Sequence, residues 1–325
     1  MSKCDLSIIL PSRKEMFLAR TIQDILENIE ADTEIIAVLD GAWSAPPVLQ
    51  HDRVNIVYVP EAVGQRAATN LACKLAQGKY VMKLDAHCSF DQGFDRKMLD
   101  GFAEVGDEVT MTPIMRNLWA FDWKCYSCGW KRYQGPTPER CEDCGSKKIR
   151  RKMVWVGKKN PQSWSYCFDA EPHFQYFEDY KHRPEVIEAK NKTGFTETMS
   201  LQGSCWMATR KKYWELDLGG ENLGSWGNQG LQVACATWLS GGSVLVNHKT
   251  WYAHMFRTQG GDFGFPYEQR GREVQKTKKT VKELFWNKKH PKQIYPVSWL
   301  VEKFSPVKGW SVEDIENLKE HENMI

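Results

Sequence analysis

Asp85 and His87 stand two residues apart at the end of an apolar run, in the stretch KYVMKLDAHCSF. On an extended chain, residues i and i+2 point to the same side. The carboxylate and the imidazole can therefore converge on one point just past the strand end. Together they suit a borderline divalent ion such as Mn²⁺, and such an ion could neutralise a diphosphate. The plainer alternative is an aspartate that ends a strand in a turn, with a surface histidine nearby.

A second constellation is Cys125-x₂-Cys128, twelve further residues, then Cys141-x₂-Cys144, with Gly129 and Gly145 following the pairs. Four thiolates at this spacing predict a closed, tetrahedral Zn²⁺ site with no open position. The ion would hold together an insert too small for a core of its own. Around it, Asp122 to Lys159 carries eleven Lys/Arg against four Asp/Glu, a local +7. Trp130, Tyr133 and Trp155 are interleaved with these charges, a pattern that suits a polynucleotide backbone and its bases. It equally describes a solvated loop over a cleft. A second basic stretch, Glu268 to Lys292, has nine against three.

These residues need a scaffold. The 325 residues carry a net charge of only +3, with 42% hydrophobic and 26% charged positions. The bulk charge therefore argues against a general polyanion binder. No apolar run reaches the length of a membrane span. The first one ends at Pro11, too short for a signal core, so a cytoplasmic location is expected. Cys4, Cys73, Cys88, Cys167, Cys205 and Cys235 are scattered singly and read as reduced thiols.

Continuous apolar runs at residues 5–10, 34–41, 54–59 and 79–85 read as buried strands. They alternate with helical patterns at 16–29 and 65–78. This predicts a mostly parallel sheet covered on both faces, with ligands beyond the carboxyl ends of its strands, where Asp40 and Asp85 fall. The expected units are a nucleotide-sugar-binding half (1–117), the zinc-ribbon insert (118–165), an acceptor and catalytic half (166–265) and a basic C-terminal tail (266–325).

The order SIILPSR, AVLDGA, VGQRAATN, LDAHCSF, WGNQG…WLSGG and YAHMFR resembles the GT-A glycosyltransferases of family 2. It is most similar to the polypeptide N-acetylgalactosaminyltransferases, across roughly residues 5–115 and 196–258. The resemblance implies an α/β fold, a Rossmann-like mixed sheet flanked by helices. It also implies a UDP-sugar donor and Mn²⁺ (or Mg²⁺) held by Asp85, His87 and His254. Pro11, Ser12 and Arg13 would flank the uracil, and Asp40 would contact the uracil or ribose. Gly64 and Arg66 would open a helix near the nucleotide, and Arg257 would pair with the diphosphate. Trp226 would stack on the sugar or simply pack.

The family's Trp-Gly-Gly-Glu-Asn reads here as Trp226-Gly227-Asn228-Gln229 with no acid. An amide cannot serve as general base at neutral pH. This departure points to transfer with retention, although Glu221 is a nearby acid. The acceptor stays open between a hydroxymethyl-pyrimidine in DNA and a protein Ser/Thr hydroxyl. A degenerate transferase scaffold that only binds nucleic acid is a further alternative.

Overall fold

Runs of Val, Ile and Leu without polar alternation belong in strands covered on both faces. The first part of the chain folds that way in the computed structural model, which describes residues 4–257, 264–266 and 270–325. β1 (Cys4–Ser12), α1 (Leu18–Asn28), β2 (Thr33–Asp40), β3 (Val54–Val59), α2 (Gln65–Leu75) and β4 (Gly78–Leu84) follow one another. In space the order is β4, β1, β2, β3, all parallel. The two-residue period sends neighbouring side chains to opposite faces. Ile9, Ile36, Val38 and Val81 join one core with Ala68, Ala72 and Cys73 of α2. Leu10, Ile35, Ala37 and Met82 join the other with Leu18, Ile22 and Ile25 of α1. β3 departs from the expectation of a third buried strand. It ends the strand order, and Ile56 is 36% exposed.

Then come β5 (Cys88–Phe90), α3 (Phe94–Val105), β6 (Val109–Cys125), β7 (Lys131–Tyr133), β8 (Ile149–Ser163), β9 (Tyr166–Phe168) and β10 (Phe174–Tyr176). α4 (Pro184–Thr193), β11 (Phe195–Glu197), β12 (Cys205–Thr209), α5 (Arg210–Glu215), α6 (Gln229–Leu239) and β13 (Ser243–His254) follow. The main strand order is β11-β13-β6-β12-β4-β1-β2-β3. β12 runs antiparallel to β4, whereas β13 is parallel to β6. The result is a mixed α/β sheet flanked by helices.

One of the expected boundaries cuts an element. β6 runs from the central sheet out to Cys125, so a boundary at 117/118 falls inside a strand. The cysteine segment is the tip of an arm in which β6 and β8 pair antiparallel as far as Cys125 and Ile149. Phe17, Phe121, Trp123 and Trp155 pack at its base, and Trp155 Nε1 donates to Asp24 Oδ2 at 3.0 Å.

The segment after residue 266, expected as a polar and basic tail helical in part, folds as packed helices: α7 (Arg270–Trp286), α8 (Val297–Lys303) and α9 (Val312–Met324). Val281, Phe285, Val297, Leu300 and Val301 enter the core that holds α6. They form an apolar stripe at helical spacing, and the surrounding lysines obscure it in the sequence. In the basic stretch from Glu268, residues 268 and 269 lie outside the described residues. Among the described residues, no helix is long and apolar enough to cross a membrane.

Candidate active site

β4 stops at Leu84, and the Asp85 N–H is held by the Ser204 carbonyl at 2.8 Å. His87 lies two residues on, just before β5. His254 closes β13, and the antiparallel β13–β5 register sets it opposite Cys88. That pairing brings His254 beside His87 across 167 residues of sequence, with their Nε2 atoms 3.1 Å apart. Asp85 Oδ2 lies 3.3 Å from His254 Nε2 and 3.8 Å from His87 Nε2. Neighbouring positions on an octahedral ion with bonds of about 2.1 Å lie about 3 Å apart. The three donor atoms therefore fit one divalent cation, and an oxygen–nitrogen set suits Mn²⁺.

Burial alone would raise the Asp85 carboxyl. The Lys83 ammonium, and then a hydrogen bond from His254, outweigh it and hold Asp85 well below the usual carboxylate range. Burial pushes His254 down to about 4, against the opposing pull of Asp85. At neutral pH the site thus presents an anionic oxygen and a neutral His254 imidazole, the forms that ligate a metal.

Sequence reasoning missed two groups here. Lys83 is buried, with Nζ 2.5 Å from Asp85 Oδ1 and 2.7 Å from the Gly203 carbonyl. It occupies one carboxylate oxygen and leaves the other toward the imidazoles. Its signal was legible as a lone charge inside an apolar strand. Glu15, also buried, sits 2.9 Å from His87 Nδ1. Nothing in the local pattern marks it.

The trio opens into a cavity of about 550 Å³. Pro11, Ser12, Arg13, Trp226, Gln229 and Arg257 line it. Arg13 donates to the carbonyls of Pro266 and Asp40 at 3.0 and 2.9 Å. Trp226 meets Phe265 edge-on at 5.6 Å. Gln229 is 6% exposed, and among the described residues neither of its side-chain polar atoms has a hydrogen-bond partner, whereas buried amides are normally paired. Among the described residues, the only acids lining the cavity are Asp85 and Glu15. Glu221 is elsewhere, exposed and bonded to Asn70.

Asp40, Gly64 and Arg66 do not line this cavity. The Asp40 carboxylate accepts the N–H groups of Val63 and Gly64 at 2.7 and 3.0 Å, holding the entry to α2. Gly64 has φ +99°, and a Cβ there would lie 2.8 Å from the Ser225 side chain. Arg66 is turned inward. It donates to the carbonyls of Gly219 and Gly227 at 3.1 and 2.8 Å and to Gln232 Oε1 at 3.0 Å. Burial lowers its guanidinium to about 10, still charged at neutral pH. Instead of meeting an anion, Arg66 fastens the loop that carries Trp226 and Gln229.

At the arm tip the four cysteine sulfurs face one another, 3.7 Å apart for Cys125–Cys144 and 3.5 Å for Cys128–Cys141. A tetrahedron with Zn–S bonds of about 2.3 Å has edges of about 3.8 Å, so the cluster fits Zn²⁺. Gly129 (φ +82°) and Gly145 (φ +69°) make the tight turns after each pair. Their N–H groups return to the carbonyls of Cys125 and Cys141. Only a residue without Cβ takes that backbone conformation at no cost.

Residues 7–135 match the model of glycosyl transferase family 2. A curated relative, the putative polypeptide N-acetylgalactosaminyltransferase 13 of Drosophila melanogaster, is 22% identical over 320 residues. The match covers 92% of this chain and 49% of the relative. A crystal structure of GalNAc-T7 with UDP, GalNAc and Mn²⁺ aligns at a TM-score of 0.60 with 14% identity. It covers 98% of this chain and 54% of that one. The chain thus spans about half the length of these relatives, and its fold is of the GT-A kind.

Proposed function

We propose that this chain, with a glycosyl transferase family 2 domain on a GT-A fold, is a metal-dependent enzyme that moves a sugar from a UDP-sugar to a hydroxyl acceptor. The observation that carries the reading is the convergence of Asp85, His87 and His254 on one point in the cavity wall. When bound there, a divalent ion supplies Lewis-acid neutralisation of the departing diphosphate. Arg257 and Arg13 add positive charge to the same cavity, and Trp226 offers an apolar face for the sugar.

We favour retention because the acids among the described lining residues are Glu15 and Asp85 alone. Inversion needs a carboxylate opposite the leaving group. Glu15 and Asp85 are already paired, and Gln229 is an amide. In the retaining step the acceptor oxygen bonds to the anomeric carbon on the face from which UDP departs. The carbon–oxygen bond to UDP breaks, and the acceptor's hydroxyl proton passes to the leaving β-phosphate. Gln229 then only hydrogen-bonds the sugar. Gln229→Ala should cost about tenfold in kcat/KM, the size of one neutral hydrogen bond. A loss beyond roughly a thousandfold would give the amide a larger role. The decisive test offers a panel of UDP-sugars with and without Mn²⁺ and reads the product's anomeric centre by NMR. An inverted linkage ends the retaining proposal, and absence of Mn²⁺-dependent UDP binding ends the enzyme proposal.

For the acceptor we favour a nucleic acid, such as a hydroxymethylated pyrimidine in DNA. Lys131, Lys147, Lys148, Arg150, Arg151 and Lys152 are exposed along the arm, with Tyr126 60% and Tyr133 45% exposed beside them. The arm base packs on Phe17 and Met255, next to the segments that carry Glu15 and His254. Four to six phosphate contacts would give a slope of about −4 to −5 in log K against log salt on duplex DNA. A slope near zero, or equal transfer to a Ser/Thr peptide, would favour a protein acceptor.

A further inference from the structure

We infer that Glu15 is a positioning residue that joins the cation site to the phosphate-binding side of the cavity, an inference that rests on the metal-dependent reading above. Its side chain is 1% exposed. One carboxylate oxygen, Oε2, serves two partners at once: His87 Nδ1 at 2.9 Å and an Arg257 guanidinium nitrogen at 2.5 Å. The other, Oε1, accepts the Phe17 N–H at 3.0 Å and is fixed by the backbone that leads into α1.

A carboxylate can only accept. His87 must therefore carry its proton on Nδ1, which leaves the Nε2 lone pair directed at Asp85 and His254. This is the carboxylate–histidine arrangement that raises ligand basicity and sets ring orientation. On its other side the same oxygen anchors Arg257, which also donates to the Gly264 carbonyl at 2.6 Å. Arg257 lines the cavity that holds the trio. A single buried negative charge thus sets both the imidazole tautomer and the place of the guanidinium.

An amide at this position cannot replace it. With its oxygen at the Oε2 place it would lose the negative charge that both partners meet, and its NH₂ would oppose the Phe17 N–H. Glu15→Gln should therefore weaken two separate equilibria. Mn²⁺ affinity without nucleotide, read by EPR, should fall by about 10–100-fold. UDP affinity in EDTA, read by calorimetry, should fall by about tenfold. Arg257→Ala should reduce the second and leave the first within threefold, and His87→Ala should do the reverse. If wild-type protein binds neither Mn²⁺ nor UDP, the parent reading fails. If it binds both and Glu15→Gln changes neither, only the role of Glu15 fails. Should Glu15→Gln not fold, ¹⁵N NMR of His87 in the metal-free wild type decides. Protonation at Nδ1 supports the inference, and protonation at Nε2 overturns it.

Discussion

His254→Ala is expected to lower kcat/KM for sugar transfer by about a thousandfold or more, corresponding to roughly 4 kcal/mol of transition-state stabilisation. Mn²⁺ binding should be lost with it. The diphosphate leaving group accumulates negative charge as its bond to the sugar breaks. That charge needs a fixed counter-charge more than it needs a proton.

Asp85→Asn should do the same to activity, but it carries a second cost. Lys83 is buried with Asp85 as its carboxylate partner at 2.5 Å. Removing one member of a buried pair leaves the other uncompensated, at about 3–5 kcal/mol. Asp85→Asn should therefore unfold at lower denaturant than His254→Ala. Combining it with Lys83→Met should recover much of the stability and none of the activity. Stability and turnover would thus separate within one pair of side chains. Turnover by His254→Ala within tenfold of wild type, undiminished by EDTA, would falsify the assignment of the trio.

Zinc removal is the second large effect. Structural Zn²⁺ sites of this type bind with roughly 10–16 kcal/mol of apparent free energy at neutral pH, so the arm tip should not survive its loss. The Cys128 backbone N–H draws the Cys125 thiol down, whereas burial and the neighbouring sulfurs push Cys128 and Cys144 up, so a metal must displace protons from the cluster as it binds. Purified protein should carry one equivalent of zinc. Cys141→Ser, or exhaustive chelation, should expose residues 125–149 to rapid hydrogen exchange. The β6–β8 base should stay protected, because Phe121, Trp123 and Trp155 hold it against Phe17. Duplex DNA binding should fall with the tip, whereas UDP binding in the distant cavity should not change. Less than half an equivalent of zinc, or unaltered exchange at the tip, would remove the metal from the account.

Much of this was legible in the chain. The first four strands and two helices were readable because β1, β2 and β4, covered on both faces, are written as unbroken apolar runs, although the half-exposed edge strand β3 reads the same way. The cysteine spacing announced its geometry because each knuckle is local. Asp85 and His87 were readable as a pair because two residues of extended chain suffice to align them. The C-terminal helices were not. Their buried stripe of Val281, Phe285, Leu300 and Val301 is thin beside the lysines around it, and charge counts suggested a tail. Arg66 and Asp40 also misled, since a charged residue at a helix entry reads the same whether it faces a ligand or its own backbone.

From residue types and spacing alone came the alternating architecture, the four-thiolate cluster and two of the three converging ligands, because each depends on neighbours a few positions away. His254 was named from the chain only through the family resemblance, and its approach to His87, the Lys83 ammonium beside Asp85 and the Glu15 carboxylate beside His87 required the folded sheet. His254 reaches His87 only through the β13–β5 register, and Glu15 meets Arg257 across 242 residues. Contacts of that range are set by how strands pair and cores close, and no local pattern in the chain records them.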